Sequence, residues 1–293
     1  MDGVIVVNKP EGWTSHDVVN RMRRIAGTRR AGHLGTLDPM ATGVLPLVLN
    51  RATRLARFYV RCDKKYEALI RFGHSTDSHD RDGQPTSEHA AVSLDPAQLE
   101  AALAEFRGPQ LQRPPAISAK KIAGVPAYKL ARGKITVELE PVEINIYSLD
   151  LIEFRPDEIR LAVHCSGGTY VRALAHDLGQ KLGCGAWLEQ LCRTMSGDFT
   201  IAGAHTLAAL EALAAGGRLN EAFIPASQLL PQFPAEFVDA VTVNQIRQGR
   251  DFRVSPFRVQ RGAKYVKAIS PQGDLVAIGE VKLPNLYHPI LVL

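Results

Sequence analysis

The stretch that most constrains this chain is His33-Leu34-Gly35-Thr36-Leu37-Asp38-Pro39-Met40-Ala41-Thr42-Gly43-Val44-Leu45, which runs straight into the apolar segment Val44 to Leu49. Gly35 and Gly43 allow backbone conformations that residues with a Cβ resist. Pro39 fixes its own φ and drives Asp38 toward an extended conformation. One carboxylate is thus presented on a stiff turn backed by apolar chain. That setting suits a nucleophile or an electrostatic stabiliser. It equally suits a turn aspartate that accepts a hydrogen bond from a nearby amide. The tetrapeptide Gly35-Thr36-Leu37-Asp38 on its own favours the second reading, because short motifs recur by chance.

Around this stretch, helix and strand signals alternate. Ser15 reads as an N-cap, with Val18, Val19, Met22 and Ile25 on one apolar face and Gly27 as the stop. Asp95-Pro96-Ala97-Gln98 reads as a capping box with proline at the first helical position, followed by Leu99, Leu103 and Phe106. After Thr169, the positions Val171, Leu174, Ala175, Leu178 and Leu182 form another stripe closed by Gly183. Thr206 to Leu213 reads as a short helix. Strands are predicted at Val4–Val7, Glu67–Phe72, Val142–Leu151 and Ile159–Cys165. The mixture predicts an α+β fold, a largely antiparallel mixed sheet flanked by helices. Three prolines between Pro225 and Pro234 predict a linker. Beyond it, a short helix over Val243–Gly249, a hairpin of Lys264–Ser270 and Leu275–Val281 about Pro271-Gln272-Gly273-Asp274, and a last strand over His288–Leu293 predict a small C-terminal β domain. The expected units are therefore 1–234 and 235–293.

Charge is unevenly spread over the 293 residues, whose formal net charge is +5. Residues 1–61 hold ten basic side chains against four acidic ones. Phe106 to Val137 holds seven basic residues and no acid, and Arg247 to Lys267 seven with only Asp251. Three unopposed basic blocks point to a polyanion bound over a long surface. No apolar run approaches the roughly 20 residues needed to cross a bilayer, and no signal-peptide pattern opens the chain. Cys62, Cys165, Cys184 and Cys192 form no Cys-x-x-Cys pair, which predicts reduced, mostly buried thiols in a cytoplasmic protein.

The segment around Asp38 resembles the catalytic motif of the TruB family of pseudouridine synthases. Four further stretches resemble the same family in the same order: Val7-Asn8-Lys9-Pro10 with Gly12-Trp13-Thr14-Ser15; Lys65-Tyr66-Glu67-Ala68; Gly168-Thr169-Tyr170-Val171-Arg172-Ala173-Leu174; and Leu188 through Arg193. The likeness runs from the N-terminus to about Ile201, and it is to the stand-alone bacterial branch. It implies isomerisation of a uridine in the T loop of tRNA, position 55, on a pseudouridine-synthase-like fold with a PUA-like RNA-binding domain at the C-terminus. That chemistry breaks the bond from C1′ to N1 and rebuilds it from C1′ to C5, with no redox cofactor and no metal.

The resemblance also implies roles. Asp38 becomes the nucleophile, and Arg172 its partner, able to hold a carboxylate through two parallel bonds. The alternative for Arg172 is a surface arginine touching phosphate. Tyr66 matches the active-site tyrosine, whose ring can stack on a uracil taken out of its loop; otherwise it is an ordinary strand tyrosine. Tyr170 and Leu191 match positions lining the uridine pocket, although Leu191 alone would read as core. His33 matches a residue that contacts RNA beside the displaced base. Lys9 supports the active-site wall or reaches a phosphate.

The basic stretch 106–137, with Pro114-Pro115-Ala116-Ile117-Ser118-Ala119, resembles the RNA-gripping insertion of the stand-alone enzymes. Ala116-Ile117 departs from it where an aromatic is more usual. The implied partner is the tRNA T-arm stem-loop, bound by a monomer with no small-molecule cofactor. Two other readings use the same features: a non-catalytic RNA-binding protein or tRNA-folding chaperone, and a guide-RNA-dependent synthase. His74 to Gly83 invites comparison with a calcium loop, but Ser78 and His89 fall where carboxylates are required. It reads as a solvated turn.

Overall fold

A computed structural model of the chain describes residues 2–115, 121–122, 125–126, 139–257 and 262–293. Ala116-Ile117, most of the basic insertion, Arg258 and Arg261 lie outside the described residues. The order is β1 (Gly3–Lys9), α1 (Ser15–Ile25), β2 (Ala31–His33), β3 (Thr42–Leu49), a 3-10 helix (Asn50–Phe58), β4 (Lys64–Phe72), α2 (Pro96–Glu105) and β5 (Gly108–Gln112). The short pair β6 (Lys121–Ile122) and β7 (Val125–Pro126) follows. Then come β8 (Val142–Phe154), β9 (Glu158–Cys165), α3 (Val171–Lys181), β10 (Ala186–Ser196), β11 (Phe199–Thr200), α4 (Leu207–Ala215) and β12 (Phe223–Pro225). The C-terminal part holds β13 (Ala235–Phe237), α5 (Ala240–Arg247), β14 (Phe252–Arg253), β15 (Tyr265–Ile269), β16 (Leu275–Leu283) and β17 (Leu286–Val292).

Ten strands form the main sheet, in the path β12-β1-β3-β10-β4-β9-β8-β5, with β2 and β11 attached to β3 and β10. Its pairings are antiparallel except at β3 and β10, where Cys192 and Arg193 run parallel to Thr42 and Gly43. A parallel pair requires a long crossover. Here the crossover carries four strands of the same sheet, β4, β5, β8 and β9, so the loop before β3 meets residues about 150 positions later in sequence. Val18, Val19 and Met22 of α1, Leu99 and Leu103 of α2, and Leu174 and Leu178 of α3 pack into one core with Leu45, Leu47, Ile70 and Leu161. The expected α+β class and largely antiparallel mixed sheet are present.

The C-terminal strands form a separate five-stranded sheet, β13-β15-β16-β17-β14, with its own core of Val243, Ile246, Phe252, Val266 and Val276. A second cluster runs on from it. Ile269, Leu275, Ile278, Leu291 and Leu293 join Val4, Val6, Leu34, Val44, Val48 and Leu55.

Several local expectations need correction. Thr14, not Ser15, caps α1: its hydroxyl accepts from the Asp17 amide, and the Asp17 carboxylate accepts from the Thr14 amide. Ser15 is freed for another task, described below. The stretch Pro225 to Pro234 is no loose linker. Pro225 pairs with Gly3 in the sheet, Ala226, Leu229 and Leu230 are buried, and the Leu230 amide donates to the Tyr59 hydroxyl at 3.0 Å. Of the four thiols only Cys165 is buried; the other three are half-buried, and all are free.

Much of the N-terminal positive charge is also spent internally. Arg21 pairs with Glu211, Arg51 with Asp2, Arg54 donates to the carbonyl of Val292, and Arg57 donates to that of Ile290 at 3.2 Å. Lys267, counted in the third basic block, is buried and donates to the carbonyls of Ser227 and Leu229 at 3.0 and 2.9 Å. Backbone oxygens near chain crossings need donors, and long basic side chains supply them. Among the described residues no helix is long and apolar enough to cross a membrane.

Candidate active site

The Asp38 loop is held from three directions. Gly35 has φ +137° and Gly43 φ +98°, and a Cβ on Gly43 would lie 2.3 Å from the Arg193 carbonyl oxygen. Both positive φ values favour glycine, and Gly43 alone also permits the close approach to β10. From α1, the Ser15 hydroxyl accepts from the Leu37 amide at 2.8 Å and donates to the Leu37 carbonyl at 2.9 Å. From β1, fully buried Lys9 donates to the carbonyls of Pro10 and Pro39 at 2.9 and 3.1 Å. Both bonds run to backbone oxygens beside the Asp38 turn. Burial drives the Lys9 pKa down to about 8, with the Asp38 carboxylate pulling the other way. From β10, buried Arg193 donates to the carbonyls of Val44, Thr36 and Gly35 at 2.8, 3.2 and 3.0 Å. Two buried cations thus brace the turn by its backbone oxygens.

On that loop Asp38 is about one-third exposed (36%), whereas Arg172 is nearly covered (5%). Arg172 Nε lies 2.9 Å from Asp38 Oδ2, and Nη2 donates to Oδ1 at 3.4 Å. The expected two-point pair is present. The third nitrogen is engaged as well. Arg172 Nη1 donates to the Ser78 carbonyl at 2.9 Å and lies 3.3 Å from Asp80 Oδ2. One guanidinium therefore stands between two carboxylates, its planar donors divided between them.

Asp80 corrects the expectation of a solvated turn at His74–Gly83. Ser75, Thr76, Ser78 and Asp80 are all buried. The segment satisfies itself: the Thr76 hydroxyl donates to the Asp80 carbonyl at 2.8 Å, the Ser78 hydroxyl to the Asp80 carboxylate, and the Asp82 amide to Asp80 Oδ1 at 3.2 Å. It also docks on β10, where the Arg81 amide donates to Leu188 and the Leu188 amide to His79. Polar groups paired in this way can be buried at little cost. Burial still lifts the Asp80 carboxyl above its ordinary range; the neighbouring Asp38 adds to the lift, while Ser78, Arg172 and the Asp82 amide oppose it.

The pair opens onto a cavity of about 320 Å³ lined by His33, Asp38, Tyr66, Tyr170, Arg172 and Leu191, together with Lys64, Val60 and Arg193. This falls at the lower end of small-ligand pockets. Every expected site residue except Lys9 lines it. Tyr66 sits on β4 directly across from Arg193 on β10, and Ala68 across from Leu191. Burial pushes the Tyr66 phenol up to about 12, so it stays neutral through the physiological range. Tyr170 precedes α3 and is fixed by its backbone: its amide donates to Gln112 Oε1 at 2.8 Å and its carbonyl accepts from Gln112 Nε2 at 3.0 Å. Burial lowers the His33 pKa, and the cationic Arg193 adds to that. Among the described residues no group of three or more His, Cys, Asp or Glu side chains is placed to hold a metal ion.

Sequence reasoning missed Ser15, Asp80, Gln112 and Arg193 as parts of this assembly. Arg193 had a usable signal, since it follows Leu191 by two residues and a strand repeats every two.

Known proteins are similar to this chain in sequence and in fold. The description "TruB family pseudouridylate synthase (N terminal domain)" matches residues 23–171, and "tRNA pseudouridylate synthase B C-terminal domain" matches 172–230. The chain belongs to the TruB family of pseudouridylate synthases. A protein of Solibacter usitatus named tRNA pseudouridine synthase B is 62% identical over 100% of both chains. A Dechloromonas aromatica protein of the same name is 40% identical over 99% of this chain and 94% of its own. Among solved structures, a Cbf5-Nop10-Gar1 complex matches with TM-score 0.71 and 25% identity, over 98% of this chain and 83% of that one.

Proposed function

We propose that this enzyme isomerises the uridine at position 55, in the T loop of tRNA, to pseudouridine, with Asp38 as the nucleophile. The observation that carries the reading is the Asp38–Arg172 pair at the mouth of a pocket walled by Tyr66, Tyr170 and Leu191. A flipped uracil fills such a pocket by stacking on aromatic rings, and it is drawn most easily from a loop, where it is already poorly stacked. The Asp38 carboxylate attacks carbon, at C1′ of the sugar or C6 of the base. The glycosidic bond to N1 breaks, the bond from C1′ to C5 forms, the bond from Asp38 to carbon breaks again to return the free carboxylate, and the C5 proton is lost while N1 gains one. Atoms balance without an oxidant, a metal or any other cofactor. Arg172 keeps Asp38 oriented, and His33 meets the RNA beside the displaced base. Lys9 supports the wall.

Residues 1–234 serve as the catalytic unit in this reading, with 106–137 gripping RNA, and residues 235–293 as a PUA-like RNA-binding domain. The enzyme works as a cytoplasmic monomer. The names of the full-length relatives support tRNA as substrate. Joint placement of Asp38, Tyr66 and Arg172 favours catalysis over a pure RNA binder, which has no need of all three together.

The deciding experiment is incubation of the purified protein with an unmodified tRNA transcript and mapping of pseudouridine. A requirement for an added guide RNA, or tight binding with no product, would replace this reading. An isolated T-arm stem-loop is expected to be a substrate on its own. Its binding should weaken by about tenfold or more between low and physiological salt, because phosphate contacts release counterions. Binding that ignores salt would remove the basic surface from recognition. Arg172→Lys should lower the single-turnover rate by about a hundredfold, since lysine cannot hold Asp38 at two points while also meeting Asp80. An unchanged rate would detach Arg172 from the chemistry.

A further inference from the structure

Behind the ion pair, His79 and His176 stack face to face, with ring centroids 3.9 Å apart and planes 4° from parallel. Their placement is informative. Arg172 and His176 are one turn apart on the same face of α3. The segment Ser78-His79-Asp80 lies across both. Ser78 and Asp80 meet Arg172, and the residue between them meets His176. His79 has φ +63°, in the left-handed region that side chains disfavour. Such a conformation persists only where its surroundings over-determine it. The His79 carbonyl is tied to the Leu188 amide at 3.1 Å, and its amide to the Thr76 carbonyl at 3.2 Å. The ring stack secures the side chain.

We propose that the His79–His176 stack is a positioning pair that keeps Ser78 and Asp80 seated on Arg172, and so keeps Arg172 aimed at Asp38, only while both rings are neutral. This rests on the reading of Asp38 and Arg172 as the reaction centre. Two imidazolium rings in face contact would repel. In addition, Nδ1 of each ring is buried without a hydrogen-bond partner among the described residues. Protonation would turn each of these atoms into an unsatisfied charged donor, which costs more than an idle lone pair.

The titrating surroundings agree. Burial lowers the His79 pKa from 6.5 to about 4, with the positive charges of His176 and Arg172 adding to the effect and Asp77 opposing it. Burial also lowers His176, against the pull of Asp177. Asp80, on the same loop, is engaged with Ser78 and Arg172. A depressed histidine favours the fold in its neutral form. The hold is complete above pH 6.5 and is lost as pH falls from 6.5 toward about 4.

The test measures single-turnover pseudouridine formation at saturating enzyme, with tRNA affinity determined separately at each pH. At neutral pH, His176→Ala is expected to slow the bound-state step about tenfold while affinity stays within about twofold. His176→Phe keeps a stacking ring that cannot titrate. It is expected to restore the rate to within about threefold of wild type and to shift the acid limb of the rate profile by about half a unit or more. A merely structural residue would not shift that limb. A wild-type rate in His176→Ala, or an acid limb in His176→Phe that superimposes on wild type, overturns the inference. Should circular dichroism show His176→Ala unfolded, the His176→Phe profile decides alone. A wild-type enzyme that forms no pseudouridine overturns the functional reading and this inference with it. An active wild type with either contrary result overturns only the inference.

Discussion

Asp38→Asn is expected to abolish turnover on an unmodified tRNA transcript while leaving tRNA binding within about tenfold of wild type, or about 1.4 kcal/mol. The asparagine side chain is nearly isosteric but is a far weaker nucleophile than a carboxylate. Little else depends on that charge. Arg172 keeps Asp80 and the Ser78 carbonyl, so no buried guanidinium is stranded. The loop keeps its braces from Ser15, Lys9 and Arg193, all of which act on backbone atoms. The variant should therefore fold, bind and fail to react. Product mapping and filter binding on one preparation check both halves. Multiple turnover near the wild-type rate would take Asp38 out of the mechanism, and a loss of binding far beyond tenfold would make it a recognition residue.

What could be read from the sequence divides along physical lines. The Asp38 turn was legible because Gly35, Pro39 and Gly43 act locally, and local backbone chemistry survives whatever packs around it. Helices α1, α2 and α3 were legible from their apolar periodicity, and the C-terminal hairpin from its Pro271–Asp274 turn. The central strand β10 was not. Its buried Arg193 interrupts the apolar alternation, since the guanidinium is satisfied by carbonyls of a loop about 150 residues earlier. Asp80 was hidden for a related reason. A run of Ser, Thr, Asp and His looks solvated, and only the tertiary structure shows that its hydroxyls and the Asp80 carboxylate satisfy one another and Arg172. Ser15 reads as the helix cap because serine is by type at least as good a cap as threonine. The Asp17 carboxylate, three residues after Thr14, settles the register.

Truncation after residue 234 is expected to cost far more than RNA affinity. As a sequence, the C-terminal β domain looks detachable, and its loss would be expected to weaken binding while sparing chemistry. Its packing says otherwise. Ile269, Leu275, Ile278, Leu291 and Leu293 share a cluster with Val4, Val6, Val44, Val48 and Leu55 of the main sheet and its 3-10 helix. Phe58 of that helix meets Tyr265 edge-on, with ring centroids 5.7 Å apart. Arg54 and Arg57 bond to backbone oxygens of β17, and Lys267 to those of Ser227 and Leu229. Stripping large apolar side chains of their cover costs about 1.5–3 kcal/mol each when they are fully bared. Even three or four partly bared residues consume a large share of the roughly 5–15 kcal/mol that holds a typical domain together. At about 2–4 °C per kcal/mol for a chain of this size, Tm should fall by about 10 °C or more. The chemistry should suffer with it, because Ala56 of the same 3-10 helix and nearby Val60 line the pocket. Thermal unfolding of the 1–234 chain beside the full-length protein measures the first effect, and the single-turnover rate at saturating enzyme the second. A truncated chain that melts with the intact protein would show that the shared cluster carries little stability. An unchanged bound-state rate would show that the pocket wall is braced without it.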